Sequence, residues 1–104
     1  MRMWIDDVRP MPKDFDISAK TYSEAITLLK TKDITFISFD HDLGTKSTGY
    51  DIAKYIESMA AFGLIEPIGW SIHSANPAGK HNIALAMQSA ERFWKISKKD
   101  IKDE

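Results

Sequence analysis

The sequence contains no cysteine, and only five of its 104 residues are glycine and four are proline. The absence of cysteine excludes a disulfide framework and thiolate metal sites, and it is consistent with a reducing compartment. Low glycine and proline contents, together with 43% hydrophobic and 28% charged residues, exclude collagen-like and disordered chains. We therefore expect one compact domain with its own hydrophobic core.

Neither sign of charge dominates, because 14 lysines and arginines stand against 15 aspartates and glutamates. This balance provides no overall field that would attract nucleic acid, so a polyanionic ligand would need a local site. Apolar runs stay well below the ~20 residues that a membrane-spanning helix needs. The N-terminal segment reaches the pair Asp6-Asp7 too early for a secretory signal. We expect a cytoplasmic protein that does not contact membranes.

Short apolar runs and longer helical patterns alternate along the chain. Runs rich in β-branched or aromatic residues predict four strands, at 3–5, 17–20, 34–39 and 68–73. Three helices are predicted after the second, third and fourth strands, each preceded by a capping residue: Thr21, Thr48 and Asn76. Two prolines place residues 8–15 in a loop. This order of elements predicts an α/β domain with a parallel sheet and right-handed crossovers.

The end of the chain differs in composition from the rest. Residues 1–94 contain all the predicted strands and helices. Residues 95–104 carry seven charges in ten, and a segment of this kind at a terminus is expected to fray into solvent. We therefore predict a domain over residues 1–94 and a charged C-terminal tail over residues 95–104.

Acidic side chains gather where two of the predicted strands end. Asp6 and Asp7 follow the first strand, and Asp40 and Asp42 follow the third. The carboxyl ends of parallel strands meet at one edge of a sheet, so we expect these groups to converge. Clustered carboxylates repel one another, and Mg²⁺ or Mn²⁺ bound to their oxygens would remove that repulsion. The predicted metal ligands are Asp6, Asp7, Asp40 and Asp42.

Histidines and polar residues beside this cluster supply the other parts of a phosphate-handling site. An unperturbed imidazole titrates near neutral pH, so His41 is the favoured general acid or base and His73 is the second candidate. The start of the last helix and nearby basic side chains would bind phosphate oxygens. The predicted phosphate-binding residues are Arg9, Ser74, Asn76 and Lys80. Structural roles remain open for them, such as a helix cap for Ser74 or a salt bridge for Arg9.

These motifs resemble the receiver domains of two-component signalling over residues 1 to about 94. In receivers an acidic pair follows the first strand, a phosphoacceptor aspartate ends the third, and a serine or threonine ends the fourth. The matching residues are Asp6-Asp7, Asp40 and Ser74. A closer resemblance is to cyclic-phosphate processing receiver-like domains, which share the segments DDVR, FDHDLG, GYD and SANPAG found here. The resemblance implies a truncated receiver-like (flavodoxin-like) three-layer sandwich with about three helices and a four-stranded parallel sheet of order 2-1-3-4.

The same resemblance implies the processing of cyclic phosphate ends on nucleotides or RNA. Our leading hypothesis is a metal-dependent phosphoesterase, with Mg²⁺ or Mn²⁺ as cofactor and with Asp40, His41 and His73 as catalytic residues. Hydrolysis through an aspartyl-phosphate on Asp40 and attack by metal-bound water both remain open. The alternative is a non-catalytic receiver-like binding or adapter module of a kind that phage genomes could encode.

The sequence also departs from the receiver pattern. It has no segment typical of a fifth strand with its lysine, and the loop 8–15 stands in place of the first helix. The strand at 68–73 is therefore predicted at a sheet edge, with apolar residues on one face and small or polar residues on the other. An uncovered edge can pair with another chain, so a homodimer through this edge or through the last helices and a monomer are both open.

Overall fold

Four parallel strands and three helices make up the fold. The computed structural model describes the backbone of residues 1–103 and the side chains of residues 1–96. In chain order the elements are β1 (Arg2–Ile5), β2 (Ile17–Ala19), α1 (Tyr22–Thr31), β3 (Phe36–Phe39), α2 (Gly49–Ala61), β4 (Gly69–Ile72) and α3 (Pro77–Asp103). All strand pairs are parallel, in the order β2-β1-β3-β4. The predicted sheet and its three helices are confirmed.

Helices α2 and α3 begin at the predicted capping residues. The carboxylate of Asp51 accepts a hydrogen bond from the Thr48 N–H at 2.7 Å. The side-chain oxygen of Asn76 accepts one from the Gly79 N–H at 3.0 Å. Such bonds satisfy backbone donors that have no partner within the helix, so these residues set where each helix starts. Past the end of α2, Gly63 has a φ of 69°, which glycine adopts without strain.

The hydrophobic core lies between one face of the sheet and the three helices. That face carries five fully buried side chains, namely Met3, Ile5, Ala19, Ile37 and Phe39. The helices contribute buried residues such as Ala25, Ile52, Ile56, Ile83 and Met87. The crossovers from β2 to β3 and from β3 to β4 run in the same direction across the sheet. Because both are right-handed, they place α1 and α2 on the same face.

The opposite face of the sheet is covered by an irregular segment. Residues 6–16, which connect β1 to β2, cross back over this face and bring the Phe15 ring to 5.3 Å from the Trp4 ring in an edge contact. The Arg2 guanidinium lies 4.7 Å from the Phe15 centroid and 4.2 Å from the Phe36 centroid. Of the three layers expected, the third is therefore this single segment rather than a layer of helices.

Helix α3 extends along the chain to Asp103. It therefore includes most of residues 95–104, which the sequence predicts to be a charged tail. The domain boundary at residue 94 remains a prediction, because Glu104 and the side chains beyond residue 96 lie outside the described residues. Within the described part of the chain, no helix combines the length and apolar character required to cross a bilayer.

Candidate functional site

Three potential metal-binding side chains meet at the carboxyl ends of β1, β3 and β4. One ligand atom from each of Asp6, Asp40 and His73 lies within 4.8 Å of the other two. Backbone hydrogen bonds between neighbouring strands continue one residue past the strand ends and hold these three residues in place. Asp40 N–H donates to the carbonyl of Ile5, and His73 N–H donates to the carbonyl of Phe39, both at 2.9 Å. The parallel register therefore determines the spacing of this three-residue group.

Asp6 is the most deeply buried member of the group, with a side chain that is 1% exposed. Its Oδ1 accepts hydrogen bonds from the N–H groups of Val8 and Arg9, both at 2.8 Å, and its Oδ2 lies 3.0 Å from Nε2 of His73. Burial by itself would raise the pKa of Asp6, but these hydrogen bonds outweigh it and the pKa is lowered. Asp6 is therefore an ionised acceptor at neutral pH.

His73 is held at both ring nitrogens and across its ring plane. Nδ1 lies 2.8 Å from the hydroxyl of Ser38, which in turn accepts a hydrogen bond from Ser71 at 3.0 Å. The ring stacks on Trp4, with centroids 3.8 Å apart and planes 5° from parallel. Burial lowers the pKa of His73, and the attraction of the Asp6 carboxylate opposes this only in part. The imidazole is therefore mainly neutral at neutral pH.

His41 and Asp42 contact the start of α3. Nδ1 of His41 lies 3.0 Å from the Asp42 carboxylate, and Asn76 donates to the same carboxylate at 3.4 Å. The His41 ring packs on Gly79, where any Cβ would overlap it. Hydrogen bonds from His41 and Asn76 lower the pKa of Asp42. Because Asp42 accepts the Nδ1 proton, the lone pair of neutral His41 is on Nε2.

The residues predicted to bind phosphate border the group on two sides. The guanidinium of Arg9 donates to the backbone carbonyl of His73. At the start of α3, the hydroxyl of Ser74 accepts from the Asn76 N–H at 3.0 Å. Lys80 is exposed in the first turn of the same helix. Arg9 thus contacts the backbone of one member of the three-residue group, and α3 begins four residues after that member, His73.

Asp7 lies against the loop that follows β3. A Cβ on Gly44 would come within 2.9 Å of its carboxylate, and Gly44 has a φ of 67°. A positive φ and this close approach both require glycine. The glycine of the DHDLG segment therefore lets the β3–α2 loop pass close to the acidic pair after β1.

A family model described as the cyclic-phosphate processing receiver domain matches residues 1–89. The chain belongs to this family. No curated protein and no solved structure matches it. The match spans every strand of this receiver domain, its first two helices and the whole three-residue group.

This receiver domain brings together part of the predicted metal set. Asp6 and Asp40 lie side by side with His73, whereas Asp7 and Asp42 lie in the adjoining loops, outside the only such group found among the described residues. Two carboxylates and one imidazole suit a divalent cation, and the nitrogen donor favours a transition metal such as Mn²⁺ more than it favours Mg²⁺. The donor set therefore fits the kind of ion that the sequence suggests.

Sequence reasoning did not single out Ser38, Ser71 or Trp4, all of which position His73 in this receiver domain. The sequence held one indication of this network, because Ser38 lies between two apolar residues, Ile37 and Phe39. The structure shows that all three of these residues are buried. A buried hydroxyl almost always has a hydrogen-bond partner. The sequence could therefore have indicated a polar partner for Ser38 on a neighbouring strand.

Proposed function

We propose that the protein is a metal-dependent phosphoesterase that acts on cyclic or terminal phosphates of nucleotides or RNA ends. The observation that carries this proposal is the convergence of Asp6, Asp40 and His73 at the carboxyl edge of the sheet. Membership of the cyclic-phosphate processing receiver family supports the class of substrate. Ligand sites of open α/β sheets are found at this edge.

Asp6, Asp40 and His73 would hold a divalent cation, Mg²⁺ or Mn²⁺. When bound, it would offset the negative charge of the phosphate and lower the pKa of a coordinated water. Ligation requires deprotonated carboxylates and a neutral imidazole. The lowered pKa values of Asp6 and His73 favour those protonation states at neutral pH.

Arg9, Lys80 and the first turn of α3 would bind the phosphate oxygens. The first turns of α1 and α2 contain Glu24 and Asp51, whereas the first turn of α3 contains no acidic residue. The N-terminus of a helix carries partial positive charge that attracts an anion, whereas an acidic side chain at that position would repel it. The start of α3 is therefore the helix terminus best suited to a phosphate.

His41 would transfer the proton. Opening a cyclic phosphate adds water at phosphorus and breaks one P–O bond, so one proton passes from the water to the leaving oxygen. Asp42 orients the ring by accepting from Nδ1 at 3.0 Å, which leaves the Nε2 lone pair to accept that proton and later return it. A positioned general acid or base of this kind contributes about 10²–10⁴-fold to a rate.

The proposal is tested by assaying 2′,3′-cyclic and 3′,5′-cyclic nucleotides with Mg²⁺ and with Mn²⁺, alongside the effect of each metal on the melting temperature. Asp40→Asn should remove most of the metal-induced stabilisation and the turnover. His41→Gln should lower turnover by about 10²–10⁴-fold and keep the stabilisation by metal. Asp33→Asn makes the same chemical change as Asp40→Asn at an exposed position before β3, and it should alter neither property.

Two results would count against the proposal. A melting temperature that neither metal raises would contradict the metal site and the esterase function with it. Stabilisation by metal without turnover of any cyclic or terminal phosphate would instead favour the alternative, a receiver-like binding or adapter module.

A further inference from the structure

A chain of four side chains connects the exposed part of β4 to the three-residue group. Ser71 donates to the Ser38 hydroxyl at 3.0 Å, that hydroxyl lies 2.8 Å from Nδ1 of His73, and Nε2 of His73 lies 3.0 Å from Asp6. Ser38 is 3% exposed, whereas Ser71 is exposed. Each hydroxyl donates one hydrogen bond and accepts another, so all the hydrogen bonds of the chain point the same way, either inward towards Asp6 or outward towards Ser71.

That direction determines which nitrogen of His73 carries the proton. When Ser71 donates to Ser38, the Ser38 proton points at Nδ1, which must then be unprotonated. The imidazole proton is on Nε2 and points at the ionised Asp6. In this inward direction both ring nitrogens are paired, and Nε2 has no lone pair to offer a ligand.

The opposite direction pairs both ring nitrogens only when a cation takes Nε2, because the ionised Asp6 carboxylate has no proton to donate to that nitrogen. Nδ1–H then donates to Ser38, Ser38 donates to Ser71, and the proton of the exposed Ser71 hydroxyl turns to solvent. The Nε2 proton leaves to solvent, and Ser71 takes one proton from solvent while Ser71 passes its own proton to Ser38 and Ser38 passes its proton to Nδ1. The charge of the imidazole is therefore unchanged, and its Nε2 lone pair is free. A buried nitrogen without a partner would be costly, and Ser38 prevents that cost at Nδ1 in both directions.

Rotation of the ring is a poor substitute for this change of tautomer. Turning the imidazole over would carry it through an orientation perpendicular to its present plane. The stack with Trp4, at 3.8 Å and 5°, leaves no room for that orientation while Trp4 stays in place. The two nitrogens therefore keep their positions, and the proton is what moves.

We propose that Ser38 and Ser71 form a reversible hydroxyl relay that lets His73 change tautomer without leaving either ring nitrogen unpaired. The relay runs inward, with Nε2–H on Asp6, when no cation is bound. It runs outward when a divalent cation takes the Nε2 lone pair, and this second half rests on the metal site of the proposed function. Ser38 and Ser71 are positioning residues, because each acts through His73.

The inward state is tested by ¹⁵N spectra of the imidazoles in metal-free protein. The chain has three histidines, so His73→Gln identifies the signals of His73. We expect a protonated Nε2 and an Nδ1 shifted by an accepted hydrogen bond. Ser38→Ala should remove that shift, whereas Ser18→Ala, an exposed serine on β2, should leave the spectrum unchanged. A protonated Nδ1 in the wild type, or an unchanged Nδ1 in Ser38→Ala, would overturn the relay.

The outward state is tested with Zn²⁺, a diamagnetic ion that imidazole binds well. Binding should move the His73 proton to Nδ1. Ser38→Ala should weaken Zn²⁺ binding by about 10–100-fold, as loss of a partner to a ligating histidine does, and the exposed variant Ser71→Ala should weaken it less. Zn²⁺ bound with Nε2 still protonated, or wild-type affinity in Ser38→Ala, would also overturn the relay. Failure of the wild type to bind Zn²⁺ would contradict the metal site, while the metal-free spectra would still decide the inward half.

Discussion

The two faces of the sheet are built from different kinds of residue. The face under the helices carries fully buried apolar side chains such as Met3 and Ile37. The face under residues 6–16 carries the Trp4 ring, the Ser38 hydroxyl and the His73 imidazole. Successive residues of a strand point to opposite faces, so neighbours in sequence serve different purposes. One face stabilises the fold, and the other can hold a polar network because no helix requires it to be apolar.

The largest expected effect comes from disrupting the apolar face. Ile37→Ala should lower the free energy of unfolding by about 2–5 kcal/mol, because it leaves a cavity in the core. A typical domain has only about 5–15 kcal/mol in total. Ser38→Ala, one residue away on the other face, should cost less, about 1–3 kcal/mol, because it leaves Nδ1 of His73 without its partner. Urea unfolding of both variants measures the difference. Equal losses would contradict the division between the faces.

A smaller effect is expected from the aromatic stack on the polar face. Trp4→Leu keeps an apolar side chain but removes the stack on His73 and the hydrogen bond from the indole N–H to the Arg9 carbonyl at 3.2 Å. Each of these contributes about 1 kcal/mol. We expect a loss of about 1–2 kcal/mol in urea unfolding and a broader set of His73 orientations in NMR spectra. A loss as large as that of Ile37→Ala would show that Trp4 belongs to the core.

The smallest expected effect is a dependence on pH that originates on the polar face. Because the pKa of His73 is lowered in the folded protein, the unfolded chain binds a proton below about pH 6.5 that the folded chain does not. Stability should fall as the pH drops through this value and should level off below the folded pKa. The lowered pKa of Asp6 adds a second loss below its usual 3.8, since that carboxyl also protonates first in the unfolded chain.

Urea unfolding of metal-free protein between neutral pH and about pH 5 measures the contribution of the histidine. His73→Gln should reduce the slope over this range, and His81→Gln, a change at an exposed position on α3, provides the comparison. A wild-type stability that increases on acidification would contradict the lowered pKa of His73 in the folded protein.

Most of the fold could be predicted from the sequence because its periodic signals are local. The run 34–39 indicates a buried strand, and β3 covers Phe36–Phe39 with its last three residues buried. Caps at Thr48 and Asn76 mark the helix starts correctly, because each makes a local hydrogen bond three residues along the chain: the Thr48 N–H donates to the Asp51 carboxylate, and the Asn76 side chain accepts from the Gly79 N–H. The order of the strands came from the resemblance, since local patterns alone do not specify which strands are neighbours.

For the candidate site, the sequence could predict only which residues lie at the strand ends. Asp6 and Asp40 come together because parallel strands end at one edge of the sheet. The position of the His41 ring depends instead on Gly79, far along the chain, whose missing Cβ leaves room for it. Likewise, the network around His73 depends on the register that pairs Ser38 with Ser71. Contacts of this kind follow from the assembled sheet, and no periodicity in the sequence encodes them.

Residues 6–16 form a layer that can vary separately from the core. The segment supplies the two N–H groups that bind Asp6 and the guanidinium that reaches the His73 carbonyl, yet Val8 is 81% exposed and Met11 40% exposed. Substitutions at such exposed positions usually change stability by no more than about 0.5 kcal/mol. Mutation can therefore alter the charge and shape around the three-residue group here at little cost to folding, so this connection can change in evolution more freely than the core.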